Sequence, residues 1–304
     1  MFEDVRIVDN FYQTSSFFPM PTVLFGTLCE DGSTNLGSYS LCFPYYIAGK
    51  DYYAMLLQTR NSSNTAVNLL ERNTCTINFI PHRRRYLKEA VRLGFPGDTS
   101  QEKMKDCIFT LEDGERAKAD PETVYPKVVA ESFQVFECTW MRDLDGAGDD
   151  KVMEEYQPPF HDFNGITSRP GAHFILRLDK ILMKKKYYGS ILRGTKKRLF
   201  PKVPVDYGFK DNAWFWMSRF RTPMRQPVPK GKGTGLDFVI YAADRIDPDI
   251  KFTEDACARL TGVPRVFLNT VLNGCADWAR KNGVSEITPE HMDVIRDKWA
   301  KEKG

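Results

Sequence analysis

The sequence predicts an α+β protein: a mostly β first part followed by a small C-terminal three-helix domain. Two observations carry this. Between Pro21 and Met183 the apolar residues fall in short runs rich in β-branched and aromatic side chains, several alternating apolar with polar, the period of a half-buried strand. After Asp247-Pro248 the apolar residues recur at helical spacing, and each stretch has its own cap or stop. The reading puts the first domain at 1–246 and the second at 250–304.

Residues 1–20 form an aromatic lead-in with Phe11, Tyr12, Phe17 and Phe18. Pro21–Glu30 reads as a strand ending at Asp31-Gly32, a hairpin signal. Thr34–Phe43 resumes as one strand, in which the polar and small residues Asn35, Ser38, Tyr39 and Ser40 leave room for a ligand. Asp51–Thr59 is a third strand. Arg60, Ser62, Ser63, Asn64 and Thr65 then lead into a helix over 64–72, and this loop is an anion cradle in outline. Hydroxyls and the N–H groups of a helix start converge there. Thr74–Pro81 is the next strand, followed by the basic run His82-Arg83-Arg84-Arg85, read as a solvated face. Short helices follow at 86–94 and 99–106, then a strand at Ser132–Trp140 and an acidic loop from Arg142 to Asp162. Ala172–Met183 is a strand with His173, Ile175, Arg177 and Asp179 on one face, and Lys184-Lys185-Lys186 is its charged tip. Trp214-Phe215-Trp216 with Phe220 is the densest aromatic cluster, read as a hydrophobic plug, and Arg219–Gly235 is a surface loop.

In the tail, Thr253 caps a helix with Glu254 and Asp255 in its first turn, and Gly262 ends it. Pro264 opens a longer helix bearing Phe267, Val271, Cys275 and Trp278, closed by Asn282-Gly283. Thr288-Pro289 starts a third, with Met292, Ile295 and Trp299 on one face. So small a bundle has a thin core of its own. Phe267, Val271, Trp278 and Trp299 are therefore expected at a face shared with the first domain or a partner.

Composition narrows the function classes. The 304 residues are 42% hydrophobic and 27% charged, with a net charge of only +3, which gives no reason to expect nucleic acid. No apolar run reaches membrane-spanning length, and the first residues lack a signal peptide's apolar core. The 7 cysteines are scattered without metal-site or C-x-x-C spacing and read as reduced thiols in a cytoplasmic protein. There is no nucleophile elbow, no H-E-x-x-H, no phosphate-binding P-loop and no G-x-G-x-x-G after a strand. No metal site is expected.

The layout of Pro21–Pro81 resembles the flavin-reductase-like family, the FMN-binding split barrels. Its pattern is an apolar strand, a segment with Asp31-Gly32, Asn35, Ser38 and Ser40, a third strand, and a helix start carrying Thr65 and Asn68. The likeness extends more loosely through Ala172–Lys186. The family often has Lys just before the helix-starting Thr. This chain has Ser63-Asn64 there, with Arg60 the nearest cation. The resemblance implies a split β-barrel and an FMN cofactor. The phosphate would lie near Arg60, Ser62, Ser63, Asn64 and Thr65, and the ring and ribityl near Asn35, Ser38, Tyr39 and Ser40. It places the His173 strand near the flavin, which makes His173 a weak candidate for catalysis. It also implies a homodimer and NAD(P)H or a protein as electron donor.

The tail is similar to the short helical domain ending the protochlorophyllide reductase B subunit. The matching positions are Phe252-Thr253, Ala256, Arg259-Leu260, Val263-Pro264, Ala279-Arg280, Gly283 and Ile287-Thr288, with Phe252 where a Trp is usual. That domain occurs as an add-on module, and no tetrapyrrole chemistry comes with it. The leading expectation is thus a flavin-dependent oxidoreductase or electron carrier. Its rivals are a non-catalytic flavin sensor or assembly module whose helical tail recruits a partner, and a barrel that has lost its cofactor.

Overall fold

The computed structural model describes residues 3–6, 11–14, 16, 18–45, 52–60, 62–94, 99–142, 171–193, 200–209, 215–219, 235–244, 246–247 and 249–302. The acidic loop beyond Arg142, His161, Trp214, Phe220 and most of 219–235 lie outside these residues. The chain divides into two compact units, Met1–Met224 and Arg225–Gly304.

The first unit is built on a 7-stranded antiparallel sheet. Its strands are β1 (Val23–Leu28), β2 (Thr34–Tyr39), β3 (Cys42–Tyr45), β4 (Ala54–Arg60), β5 (Thr74–Phe79), β6 (Gln134–Trp140) and β7 (Gly171–Met183). Their order across the sheet is β2-β1-β5-β6-β7-β4-β3. The expected Asp31-Gly32 hairpin joins β1 to β2. Gly32 sits at φ 77°, where a side chain would be strained, and the Asp31 carboxylate accepts the Ser33 N–H at 2.9 Å.

The stretch expected to be one strand, Thr34–Phe43, is two. β2 and β3 are the two opposite edges of the sheet, yet only Ser40 and Leu41 lie between them. Three Cα steps span at most about 11 Å. The sheet must therefore curl until its edges nearly meet, which makes it a barrel split at the β2–β3 seam. A continuous strand cannot belong to both edges, so the chain has to turn at Ser40-Leu41.

The barrel interior holds Phe25, Leu57, Ile77, Trp140, Phe174 and Leu176, and the helix α1 (Asn64–Arg72) adds Ala66 and Leu69 to the same cluster. The outer side of β1 and β2 is covered by α2 (Arg84–Gly94), whose Tyr86, Ala90 and Leu93 pack with Leu24 and Leu36. A second, 3-stranded sheet joins Met20–Pro21, Pro204–Phe209 and Phe215–Arg219. Phe215 and Trp216, read from sequence as part of a plug, belong to that strand. The Lys184–Lys186 run is more than a strand tip, since α3 (Lys185–Arg193) begins within it.

The second unit contains the three expected helices, α5 (Glu254–Ala258), α6 (Arg265–Asn282) and α7 (Pro289–Glu302). A further helix, α4 (Leu236–Ala243), joins them, and its Val239 and Ala243 share one core with Leu272, Cys275, Ala279 and Ile295. The sequence reading assigns that helix to the first domain. Its short, uniformly apolar pattern gives no helical period to read. Of the residues expected at a shared face, Val271, Trp278 and Trp299 pack against this unit's own core, while Phe267 is 60% exposed.

Candidate functional site

The polar residues singled out by sequence gather where β4 runs into α1. Arg60 ends β4, its carbonyl accepts the Ser63 N–H at 3.1 Å, and the chain turns. Ser63 is the N-cap: extended at φ −68° and ψ 148°, its hydroxyl accepts the Ala66 N–H at 3.1 Å. The Thr59 hydroxyl lies 3.0 Å from that of Ser63 and fixes the turn from the strand side. Ser62 is exposed, and Arg60, Ser63 and Asn64 are half-buried, so these four reach solvent. Thr65 is buried at 1% exposure and faces Gly37 of β2. A Cβ on Gly37 would stand 2.7 Å from the Thr65 hydroxyl and 2.8 Å from the Tyr39 ring, so glycine is what lets strand and helix start approach.

The helix stops as sharply as it starts. Asn73 takes the left-handed conformation at φ 46°, its N–H donates to the Leu69 carbonyl, and β5 begins at Thr74. One turn into α1, the Asn68 amide donates to the Thr27 hydroxyl at 3.1 Å. Thr27 pairs with Asn35 across β1 and β2. Asn35 is 1% exposed, and its side-chain oxygen finds no hydrogen-bond partner among the described residues.

The remaining candidates separate by face. Asn35, Gly37 and Tyr39 alternate onto the barrel side of β2, while Ser38 points to the outer side against Gly94 at the end of α2. Ser40 is buried at the seam. His173 is exposed and pairs with Gln58. The register sets Gly171 against Arg60, so His173 and Arg60 share a sheet face about 7 Å apart along the strand. Thr59, Gly37 and Gln58 join the site without having been singled out. A glycine inside a strand pattern was the one available signal.

This donor set fits a phosphate: a guanidinium, the exposed Ser62 hydroxyl, an amide and the start of a nine-residue helix. It fits the rest of an FMN less fully, because Asn35 and Ser40 are buried and only Tyr39 presents a half-exposed surface on the barrel side of β2.

All the cysteines are free thiols, and burial pushes Cys42 and Cys138 far up and Cys257 and Cys275 up to about 11, which holds them protonated. No cluster of His, Cys, Asp or Glu among the described residues could hold a metal ion. No described helix is long and apolar enough to cross a membrane.

No protein-family model and no curated relative matches the sequence. Among the solved structures to which the chain is similar are ones described as a flavoredoxin, a putative flavin reductase with a split barrel domain and an FMN-binding protein. Flavoredoxin from Methanosarcina acetivorans shares 15% identity at a TM-score of 0.49, over 76% of this chain and 98% of its own. The nitrilotriacetate monooxygenase component B from Bacillus cereus shares 12% at 0.48, over 71% and 93%. An FMN-binding protein from Thermus thermophilus, solved with p-hydroxybenzaldehyde, shares 13% at 0.47, over 75% and 99%. At 15% identity or less these are likenesses of fold.

Proposed function

We propose that the chain binds FMN with its phosphate at the start of α1 and acts as a flavin-dependent oxidoreductase or electron carrier. The observation that carries the reading is the solvent-reaching group of Arg60, Ser62 and Asn64 around one helix start capped by Ser63, at the end of a split barrel. The resemblance of Pro21–Pro81 to the FMN-binding split barrels supports it.

In this reading Arg60 supplies the charge that holds a phosphate, and Ser62 and Asn64 supply donors to its remaining oxygens. Ser63 and Thr59 fix the turn rather than touch the ligand. Tyr39 borders the ring, and His173 stands on the Arg60 face where a proton could be exchanged with solvent. The flavin, when bound, supplies the electron chemistry, which accounts for a sequence without a recognised nucleophile motif. A homodimer, NAD(P)H as donor and a cytoplasmic setting belong to the same proposal, as does a docking or regulatory role for the helical unit.

The test is an FMN titration of the full chain by flavin fluorescence. Arg60→Ala with Ser62→Ala should weaken binding more than tenfold, about 1.4 kcal/mol. A variant binding FMN as tightly as the parent overturns the site. NAD(P)H oxidation by the loaded protein separates an enzyme from a carrier or sensor.

A further inference from the structure

Away from the α1 start, the fold brings together two basic runs that lie a hundred residues apart in sequence. Arg83, Arg84 and Arg85 lead into and open α2, and Lys184, Lys185 and Lys186 lead into and open α3, all of them exposed. Both helices start at one end of the sheet. Phe79 at the end of β5 pairs with Gln134, and Gln134 pairs with Met183 at the end of β7. The Lys184 N–H donates to the Phe133 carbonyl at 3.0 Å, and the Phe133 ring lies 6.1 Å from Phe79 and 6.0 Å from Tyr187. The His82 N–H donates to the Lys202 carbonyl at 2.8 Å, which adds another exposed cation beside α2.

None of these cations forms an ion pair among the described residues. Two acids close in sequence are occupied: Glu89 is buried and pairs with Arg92, and Asp179 pairs with Arg116 and Arg177. From Lys184 to Lys202 the sequence contains no Asp or Glu at all. Aromatic rings lie among the charges. The Arg83 and Arg85 guanidinium groups stand 5.6 and 4.8 Å from the Tyr86 ring centre, the Lys186 ammonium 4.7 Å from Tyr187, and Tyr188 is 49% exposed.

We infer that this end of the sheet binds the phosphate backbone of a nucleic acid. Two features favour that partner. The cations flank the sheet: Tyr86 belongs to the outer cluster with Leu24, while Tyr187 meets Phe133 on the side of Phe79. A strand of phosphates can follow the sheet end and reach both sets. The exposed Tyr188 ring also offers a base a stacking surface. The basic run at 82–85 looks like a solvated face in sequence because no aromatic interleaving or basic helix accompanies it, and the fold sets the second basic run, at the start of α3, at the same sheet end. The surface is also separate from the proposed flavin site. Arg60 pairs with Gly171 at one end of the 13-residue β7, and Lys184 follows its other end, roughly 40 Å away along the strand.

The experiment is fluorescence anisotropy of a labelled 20-nucleotide single-stranded RNA of mixed sequence with the full chain, at 50 and 200 mM salt. The comparison is the triple variant Arg84→Glu, Lys185→Glu, Lys186→Glu, with melting curves as the folding control. The parent should bind, and the variant should bind at least tenfold more weakly, with a salt slope shallower by roughly 2, about 0.7 for each phosphate no longer neutralised. Arg84→Gln with Lys185→Gln serves if the triple variant fails to fold, with a threefold loss expected. No binding by the parent at 50 mM salt overturns the inference, as does equal binding by a folded variant. Equal competition by polyglutamate would assign the surface to an acidic protein instead, and equal competition by phosphatidylglycerol vesicles to a membrane. Either result overturns it too. Because FMN titration reads the other end of β7, failure here leaves the flavin proposal intact.

Discussion

Replacing Gly37 with alanine tests how the helix start is seated. The new Cβ would lie 2.7 Å from the Thr65 hydroxyl, where ordinary contact begins at 3.4 Å, so 3.4 − 2.7 = 0.7 Å must be found. The Tyr39 ring, 2.8 Å away, is half-buried and can swing aside. Thr65 is buried at 1% exposure, in the first turn of a helix whose cap and core are both fixed, and has nowhere to go. Overpacking of this kind costs about 1–3 kcal/mol. Thr65→Ala removes the oxygen that the new methyl meets. In a double-mutant cycle read by urea unfolding, the pair should therefore be more stable than the sum of the single variants by about 1 kcal/mol or more. FMN affinity should fall in Gly37→Ala and recover in the pair. Additive stability changes, within about 0.5 kcal/mol, would refute the close approach of strand and helix start argued above.

Two further outcomes concern the helical unit. A fragment of residues 225–304 should melt cooperatively, whereas 250–304 lacks the Val239 and Ala243 side chains that complete the core; equal melting temperatures in circular dichroism would refute this. Within the unit, the Asp247 carboxylate accepts the N–H groups of Asp249 at 2.8 Å and Ile250 at 3.1 Å, and pairs with Arg280, which together hold its carboxyl below its ordinary 3.8. A carboxyl depressed in the folded state contributes stability that is complete above about pH 4 and fades as pH falls through the folded value. Asp247→Asn should flatten the acid limb of the 225–304 stability profile below pH 4 and leave its slope unchanged above pH 5. An unchanged slope below pH 4 would sink the assignment.

Much of the barrel was legible because its elements obey local rules. The Asp31-Gly32 turn, the Asn64–Arg72 helix and the alternating strand at Ala172–Met183 each carry their own signal. The seam at Ser40-Leu41 did not, since nothing local distinguishes one strand from two that part to opposite edges of a closed sheet. The candidate loop was found as a loop, but its sorting was not. Ser38 and Tyr39 are neighbours in sequence and lie on opposite faces, and Thr65 reads as a ligand group until its burial against Gly37 is known. The charged sheet end was invisible for the opposite reason. Its two halves are separated by the whole of β6, β7 and the loops between them, and only the pairing of Phe79, Gln134 and Met183 joins them.

The pairing of β4 with β7 has a further consequence, for how fast the barrel assembles. Leu57 must find Phe174 across a sequence separation of 117 (174 − 57), whereas Leu28 meets Thr34 across one of 6 (34 − 28). Loop-closure entropy rises as (3/2)RT ln n, roughly 4 kcal/mol for the first and roughly 1.6 for the second, before the constant common to both. The β1–β2 hairpin is therefore cheap and early. The β4–β7 ladder is the costlier contact to close, and until it forms, one edge of β4 and one edge of β7 are left unpaired and available to other chains.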